Sequence, residues 1–220
     1  MDDSFIIALD GPAASGKGTL ARLIADHYQF AHLDTGVLYR GVAWLILNNG
    51  DDPADEAVAG AAAKSFSIDK IAGANIRTKE VGAAASVVAA NAQVRAALLD
   101  FQRQFAKSPP QGAKGAVLDG RDIGTVVSPD APVKFYVTAN PDVRAHRRWL
   151  ELKPAKPDLQ EGDVYRDLLE RDARDAERAD APMKPAPDAE LLDTSHLTID
   201  AAFAAARRVI DGAFRRCGRE

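Results

Sequence analysis

The run Gly11-Pro12-Ala13-Ala14-Ser15-Gly16-Lys17-Gly18-Thr19 sets two glycines, with four residues between them, in front of a lysine. Glycines at that spacing let consecutive backbone N–H groups turn toward one anion. Lys17 adds a mobile point charge for outer phosphates. The chemistry this pattern serves is the binding of a nucleotide's phosphates. Position 18 is Gly where many such loops carry Ser or Thr, and the hydroxyl arrives one residue later at Thr19. The loop says that a phosphate binds, and not what happens to it.

A second group of residues is cationic. Residues 141–187 are bounded by prolines and contain Arg144, Arg147, Arg148, Arg166, Arg171, Arg174 and Arg178. Positions 171, 174 and 178 share one helical face, with Asp175 beside them. Asp and Glu are plentiful in the same segment, so a solvated helix laced with ion pairs is one reading. The other starts from the use of arginine rather than lysine, since guanidinium forks suit phosphate recognition. Transfer of a phosphoryl group needs cations beyond one lysine, to meet charge spreading over the transferred oxygens. A mobile arginine-bearing flap would supply them and exclude water.

These residues need a scaffold that brings them together. Five short apolar runs, at 5–9, 30–33, 116–118, 133–137 and 190–192, read as core strands, with helical patterns between them. Leu20, Leu23, Ile24 and Tyr28 recur at helical spacing behind the glycine loop, which places it between a strand and a helix. Strands alternating with helices predict an α/β fold whose parallel sheet is covered on both faces. Ligands in such sheets sit at the carboxyl ends of the strands. Asp10 with the loop, Asp34-Thr35, and Asp119-Gly120-Arg121-Asp122 all fall there. Residues 35–106 are too long for one crossover. Within them, 78–105 reads as Ala-rich helix and 66–71 as a small strand before a turn at 73–75. Residues 199–214 predict a final helix with Ile199, Phe203, Ala206, Ile210 and Phe214 on its core face.

Composition narrows the class. The 220 residues are 46% hydrophobic and 27% charged, enough for one substantial core. A net charge of −4 does not suggest a nucleic-acid partner. No apolar stretch approaches a membrane span, and Met1-Asp2-Asp3 lacks a positive start. The single cysteine, Cys217, allows no disulfide within the chain and fits a reducing compartment. A cytoplasmic protein is the expectation. His27, His32, His146 and His196 share no spacing that suggests a metal site.

Four blocks now point to a family. The Gly-Lys-Gly-Thr form of the loop resembles nucleoside monophosphate kinases. Leu33-Asp34-Thr35-Gly36-Val37-Leu38-Tyr39-Arg40, Ile76-Arg77-Thr78-Lys79-Glu80-Val81, Asp119-Gly120-Arg121-Asp122-Ile123-Gly124-Thr125-Val126-Val127 and Glu170-Arg171-Asp172-Ala173-Arg174-Asp175-Ala176-Glu177-Arg178 resemble the bacterial cytidylate kinases. The resemblance runs over essentially the whole chain.

It implies a five-stranded parallel sheet wrapped by helices, the P-loop kinase fold. Residues 1–34, 107–143 and 188–220 would form the core, 35–106 an insertion that binds the nucleoside monophosphate, and 144–187 an arginine-rich lid. The implied reaction is ATP with CMP or dCMP giving ADP with CDP or dCDP, using Mg²⁺. Many bacterial relatives carry a small three-stranded sheet near 66–75, and that stretch is shorter here.

Roles follow by motif position. Gly11, Pro12, Ala13, Ala14, Ser15, Gly16, Lys17, Gly18 and Thr19 would hold the ATP phosphates, with Arg147 and Arg148 near ATP and Thr19 a candidate metal ligand. Arg40, Arg121 and Arg171 would grip the acceptor phosphate. Thr35 and Tyr39 would line the acceptor site, and Asp175 would accept from ribose hydroxyls. Ser86, Arg95 and Asp122 would meet the cytosine edge. A carboxylate there takes the N4 amino donor and an arginine serves the N3 and O2 acceptors. Arg174 and Arg178 would stabilise the migrating phosphoryl group.

Simpler readings exist for several of these. Tyr39 and Arg40 could merely cap a helix, Ser86 could be filler in an Ala-rich helix, and Asp122 could pair with Arg121. A kinase for UMP, AMP or a non-nucleotide acid is a neighbouring possibility. A GTPase-type switch would need Asn-Lys-x-Asp and Asp-x-x-Gly, and neither occurs in the chain. The site looks complete within one chain, so a monomer is expected.

Overall fold

The computed structural model describes residues 4–218. The reading made of the first three residues lies outside them. In order come β1 (Phe5–Asp10), α1 (Lys17–Tyr28), β2 (Ala31–Asp34), α2 (Thr35–Asn48), α3 (Glu56–Lys64), α4 (Lys79–Val88) and α5 (Ala92–Lys107). Then follow β3 (Gly115–Asp119), β4 (Val133–Thr138), α6 (Pro141–Leu152), α7 (Glu161–Glu177), β5 (Glu190–Asp193) and α8 (Ile199–Arg216). The five strands form one parallel sheet in the order β2-β3-β1-β4-β5. All five expected strands are present.

Side-chain alternation fixes both faces of the sheet. Ile7 and Leu9 of β1 pack with Leu20, Ile24, Phe135 and Ile210 under α1 and α8. Ile6 and Ala8 face the opposite way, toward Leu33, Leu118 and Ile123. The register sets Leu9 and Asp34 both opposite Asp119. The acidic strand ends therefore lie level, at one edge of the sheet. Thr198 caps α8 by accepting from the Ala201 amide. Ala206 and Ile210 are buried and Phe203 and Phe214 pack beside them, whereas Ile199 in the first turn is 40% exposed. Among the described residues no single helix is long and apolar enough to cross a membrane.

Away from the sheet, Leu38, Val42, Ile46, Val81, Val88, Val94 and Leu98 form a separate core among α2, α3, α4 and α5. A smaller cluster of Ala145, Val164 and Leu168 joins α6 to α7, and Ala13 and Ala14 of the glycine loop pack on it.

Two expectations are corrected here. Residues 66–71 form no strand; Ile68–Ile71 is a short 3-10 turn. Phe66 instead packs into the core around α2, close over Gly41, where a Cβ would stand 2.4 Å from its ring. Residues 78–105 are two helices, because the Asn91 side chain accepts from the amides of Gln93 and Val94 and starts a new one. Alanine on both sides hid that cap. Residues 143 and 144 lie within α6, and residue 107 is the last of α5.

Gly11 shows what the loop demands. Its φ is +140°, and a Cβ there would lie 2.0 Å from the Val137 carbonyl oxygen. Gly11→Ala is expected to cost about 3 kcal/mol, from a disfavoured backbone plus overpacking. Chemical denaturation checks it: an unchanged midpoint would contradict this account of the loop.

Candidate active site

The carboxyl ends of β1, β2 and β3 open into a cleft of about 530 Å³ that runs beneath α4, α6 and α7. At one end stands the glycine loop. Ala14 adopts φ 57° and Gly16 φ 84°, left-handed turns that curl the backbone before α1 begins. Gly16 caps α1 without any side-chain hydrogen bond, so the first amides of the helix keep their positive end for a ligand. The Ser15 hydroxyl is buried and makes no hydrogen bond.

Lys17 reaches this end of the cleft, 9% exposed. Burial, then the nearby Arg121, lowers its pKa to about 8, against the pull of Asp119 and Asp34. Asp119 is itself buried, which opposes its charge. The His32 hydrogen bond at 2.8 Å, with Lys17 and Arg121 nearby, holds it below the usual carboxylate range. Thr35 donates to the Asp119 carbonyl at 2.9 Å, joining β2 to β3.

The middle of the cleft is cationic. Arg40 comes from α2, Arg121 from the turn after β3, Arg171 and Arg174 from α7, and Arg148 from α6. Burial and then Arg121 depress the Arg171 guanidinium to about 9, with Arg40 and Arg148 adding to the repulsion. Its Nε is buried without a hydrogen bond. Such crowding of like charge is the mark of a site that receives an anion.

At the far end carboxylates return. Arg121 donates to Asp175 at 2.9 Å, and the Ser86 hydroxyl donates to the other Asp175 oxygen at 3.4 Å. Asp122, 5% exposed, is gripped by Arg95, and Arg178 pairs with its other oxygen at 3.5 Å. Arg95 also donates to the Tyr39 hydroxyl at 3.4 Å. The cleft thus has the glycine loop and Lys17 at one end, a cationic middle and an end with fixed donors and acceptors.

A family model described as cytidylate kinase matches residues 7–211. The chain belongs to the cytidylate kinase family. It is 56% identical over 205 residues to a protein named cytidylate kinase from Rhodospirillum rubrum, covering 93% of this chain and 96% of that one. It is 51% identical over 214 residues to a cytidylate kinase from Rhodopseudomonas palustris, covering 97% and 98%. In fold it is similar to the crystal structure of an uncharacterized protein from Eubacterium ventriosum, with a TM-score of 0.54 at 15% identity over 94% of this chain and 99% of that one.

Most residues read from the sequence meet in this one cytidylate kinase cleft. Ala13 to Thr19, Thr35, Tyr39, Arg40, Ser86, Arg121, Asp122, Arg148, Arg171, Arg174, Asp175 and Arg178 line it. Tyr39 and Arg40 lie inside α2 and cap nothing. Asp122 pairs with Arg95 and Arg178. Arg95 is a wall residue behind Asp122, and Gly11 and Pro12 are buried beneath the loop.

Two placements differ from expectation. Arg147 does not face the cleft; it donates to the Thr194 hydroxyl and carbonyl at 3.0 and 2.7 Å. Thr194 in turn donates to the Ser15 carbonyl at 2.9 Å, so Arg147 props the loop from behind. Adjacent residues of a helix are about a hundred degrees apart, so Arg147 and Arg148 point to different sides of α6. Arg178 does not share the Arg174 face. It follows the last residue of α7, and its guanidinium turns to Asp122.

Other contributors take parts that the sequence did not assign to them. Arg144 donates to Ala139, Ala13 and Asp172, tying the loop to α7. Asp10 accepts from the amides of Ile123 and Gly124 at 2.7 and 2.8 Å, and burial raises its pKa to about 6. It clamps the π-helical turn Ile123–Val127 behind the site rather than facing a ligand. Arg22, Arg77, Lys79 and Lys156 add charge to the rim. Arg77 and Lys79 belong to the 76–81 block, whereas Arg22 and Lys156 stand outside every motif and carry no sequence signal for this.

Proposed function

We propose that this cytidylate kinase family member transfers the γ-phosphoryl group of ATP to the phosphate of CMP or dCMP, giving ADP and CDP or dCDP. The observation that carries the reading is the single cleft, with a phosphate loop at one end, Asp122 and Ser86 at the other, and arginines crowded between them. ATP would lie with its phosphates on the 11–19 loop and Lys17. The acceptor phosphate would rest on Arg40, Arg121 and Arg171, with Asp175 on the ribose.

An acceptor phosphate oxygen attacks the γ-phosphorus in line, and the bond to the β–γ bridging oxygen breaks as ADP leaves. That oxygen is already ionised at neutral pH, so the chain needs no general base. Its task is to align two anions that repel each other and to meet charge on the moving group. Lys17, Arg171 and Arg174 do this on our reading. We assign Arg178 to the base end, beside Asp122, in place of the phosphoryl role that the family resemblance implies.

Mg²⁺ fits the oxygen-rich phosphate end. No cluster of three or more His, Cys, Asp or Glu able to hold a metal occurs among the described residues. The Thr19 hydroxyl, Asp34 and Asp119 are among the side-chain oxygens that line this end. Magnesium usually takes one or two protein oxygens and completes its shell with phosphates and water. When bound it supplies charge neutralisation for the ATP phosphates.

We treat 35–106 as the acceptor insertion and 144–187 as the lid. We also read the enzyme as a monomer, since one chain supplies both ends of the cleft, and as cytoplasmic, in keeping with one exposed cysteine.

Release of ADP from Mg·ATP with CMP, dCMP, UMP, AMP, GMP or no acceptor tests the reading. Turnover confined to CMP and dCMP is expected. Fast turnover of a purine or uridine nucleotide alone would overturn the base assignment. Asp122→Ala is expected to erode CMP/UMP discrimination by roughly 10- to 100-fold, because cytosine N4 loses its acceptor and uracil O4 loses a repelling carboxylate. Discrimination equal to that of the parent enzyme would count against Asp122, and partial unfolding would not mimic the change in ratio.

A further inference from the structure

Beyond the motif residues, we infer that Asp180 is a positioning residue for the acceptor base, holding Arg95 in its reading pose only when the lid is shut. The inference rests on the function proposed above and names a group outside the motif blocks.

The observation is a closed ring of charge. Asp122 is held by Arg95 and by Arg178. Arg95 is in turn held by Asp180, whose carboxylate lies 3.4 Å from its Nε. Asp180 is two residues from Arg178, so the ring closes through the backbone. The turn between them is built for this. Ala181 takes a left-handed φ of 47°, its carbonyl accepts from Arg178 Nε, and the Met183 amide donates to the Asp175 carbonyl at 2.8 Å. One short turn thereby orients both arginines that flank Asp122.

Arg95 needs such a hold. Its side chain is 7% exposed, and behind it lies a second cavity of about 160 Å³, lined by Tyr39, Gln102, Val126, Val127 and Asp180 among others. A guanidinium with space behind it can retreat from the base. With Nε held by Asp180 and the Tyr39 hydroxyl near Nη1, Nη2 stays on Asp122 at the cleft wall. Asp180 sits on the segment leaving α7, the helix that carries Arg171 and Arg174. Opening of that helix would withdraw Asp180 from Arg95 and Arg178 from Asp122 together. Base reading and closure over the phosphates are then one event.

Asp180 is half-exposed, at 56%, so its removal leaves the core packing untouched. Steady-state kinetics of Asp180→Ala and Asp180→Asn, with CMP and UMP as acceptors, test the inference. For Asp180→Ala we expect the KM for CMP to rise about fivefold, the upper end for a partly exposed ion pair. We expect kcat to stay within about twofold, the KM for ATP to hold, and CMP/UMP discrimination to fall with the KM. Asp180→Asn, which keeps an oxygen acceptor, should recover most of the loss. An unchanged KM for CMP would overturn the inference. So would a drop in kcat with both KM values unmoved, which would mark a general lid defect. Parent turnover on CMP is read in the same assay. Its absence, with turnover of another acceptor, would refute the CMP reading, and Asp180 would then be judged by the KM for that acceptor.

Discussion

Lys17→Ala is expected to lower turnover with Mg·ATP and saturating CMP by roughly 10³-fold or more, with the fold intact. Lys17 is the one cation that the loop itself supplies, and it lies buried between Asp34, Asp119 and the cationic middle of the cleft. No mobile surface lysine can take its place without the same burial. Its ionisation supplies a second reading of the same variant. The folded pKa of about 8 lies below the ordinary 10.5, because burial and Arg121 disfavour the charge. The stabilising contribution of that depressed value is present above 10.5 and is lost as pH falls through 8. At pH 7 the unliganded enzyme therefore carries a buried cation at a cost, and Lys17→Ala should unfold at no lower temperature than its parent. ATP phosphates raise the pKa again, so binding near pH 8.5 should take up protons. Calorimetry in two buffers of different ionisation enthalpy measures that uptake, which Lys17→Ala should lose. Near-normal turnover of the variant would sink the assignment.

Arg171→Ala should lower kcat/KM for CMP by roughly 10²- to 10³-fold, the scale of losing one preorganised cation at a transferring phosphoryl group. The reasoning is electrostatic. Arg40, Arg121 and Arg148 all disfavour its charge, burial disfavours it most, and Asp175 at 3.9 Å answers only in part. Its buried Nε has no hydrogen bond. A cation kept in such a place has its partner in the bound anions. Arg171→Lys should not rescue, because an ammonium lacks the planar fork that spans two phosphate oxygens. Full activity of the lysine variant would show that only charge is needed there. A loss confined to the KM for ATP would move Arg171 to the donor side.

The sequence alone disclosed the sheet and the place of the site. The runs of β1, β3 and β4 are short and continuous because both faces of these inner strands are buried, and that signal survives without any knowledge of neighbours, whereas the edge strand β5 is mostly exposed. The glycine loop is legible for a related reason. Its conformation needs Gly11 and Gly16 whatever lies around them, since their φ values of 140° and 84° are ones that other residues rarely adopt. The break between α4 and α5 was less legible, although Asn91 is an ordinary cap, because alanine continues on either side.

Direction of side chains was the part left to tertiary structure. Arg147 and Arg148 are neighbours in the chain, yet one braces Thr194 and the other enters the cleft. Arg178 continues the spacing of Arg171 and Arg174, but the helix stops at Glu177 and periodicity has no hold beyond it. Asp10, read as part of the ligand end, holds backbone amides instead, since the π-helical turn behind it leaves Ile123 and Gly124 amides in need of an acceptor. What the sequence by itself determined was local: backbone conformations that only certain residues allow, and burial patterns that repeat along one element. Which charged groups face one another was decided by the packing of α4, α5 and α7 around the strand ends, because burial and Coulomb energies depend on neighbours distant in the chain.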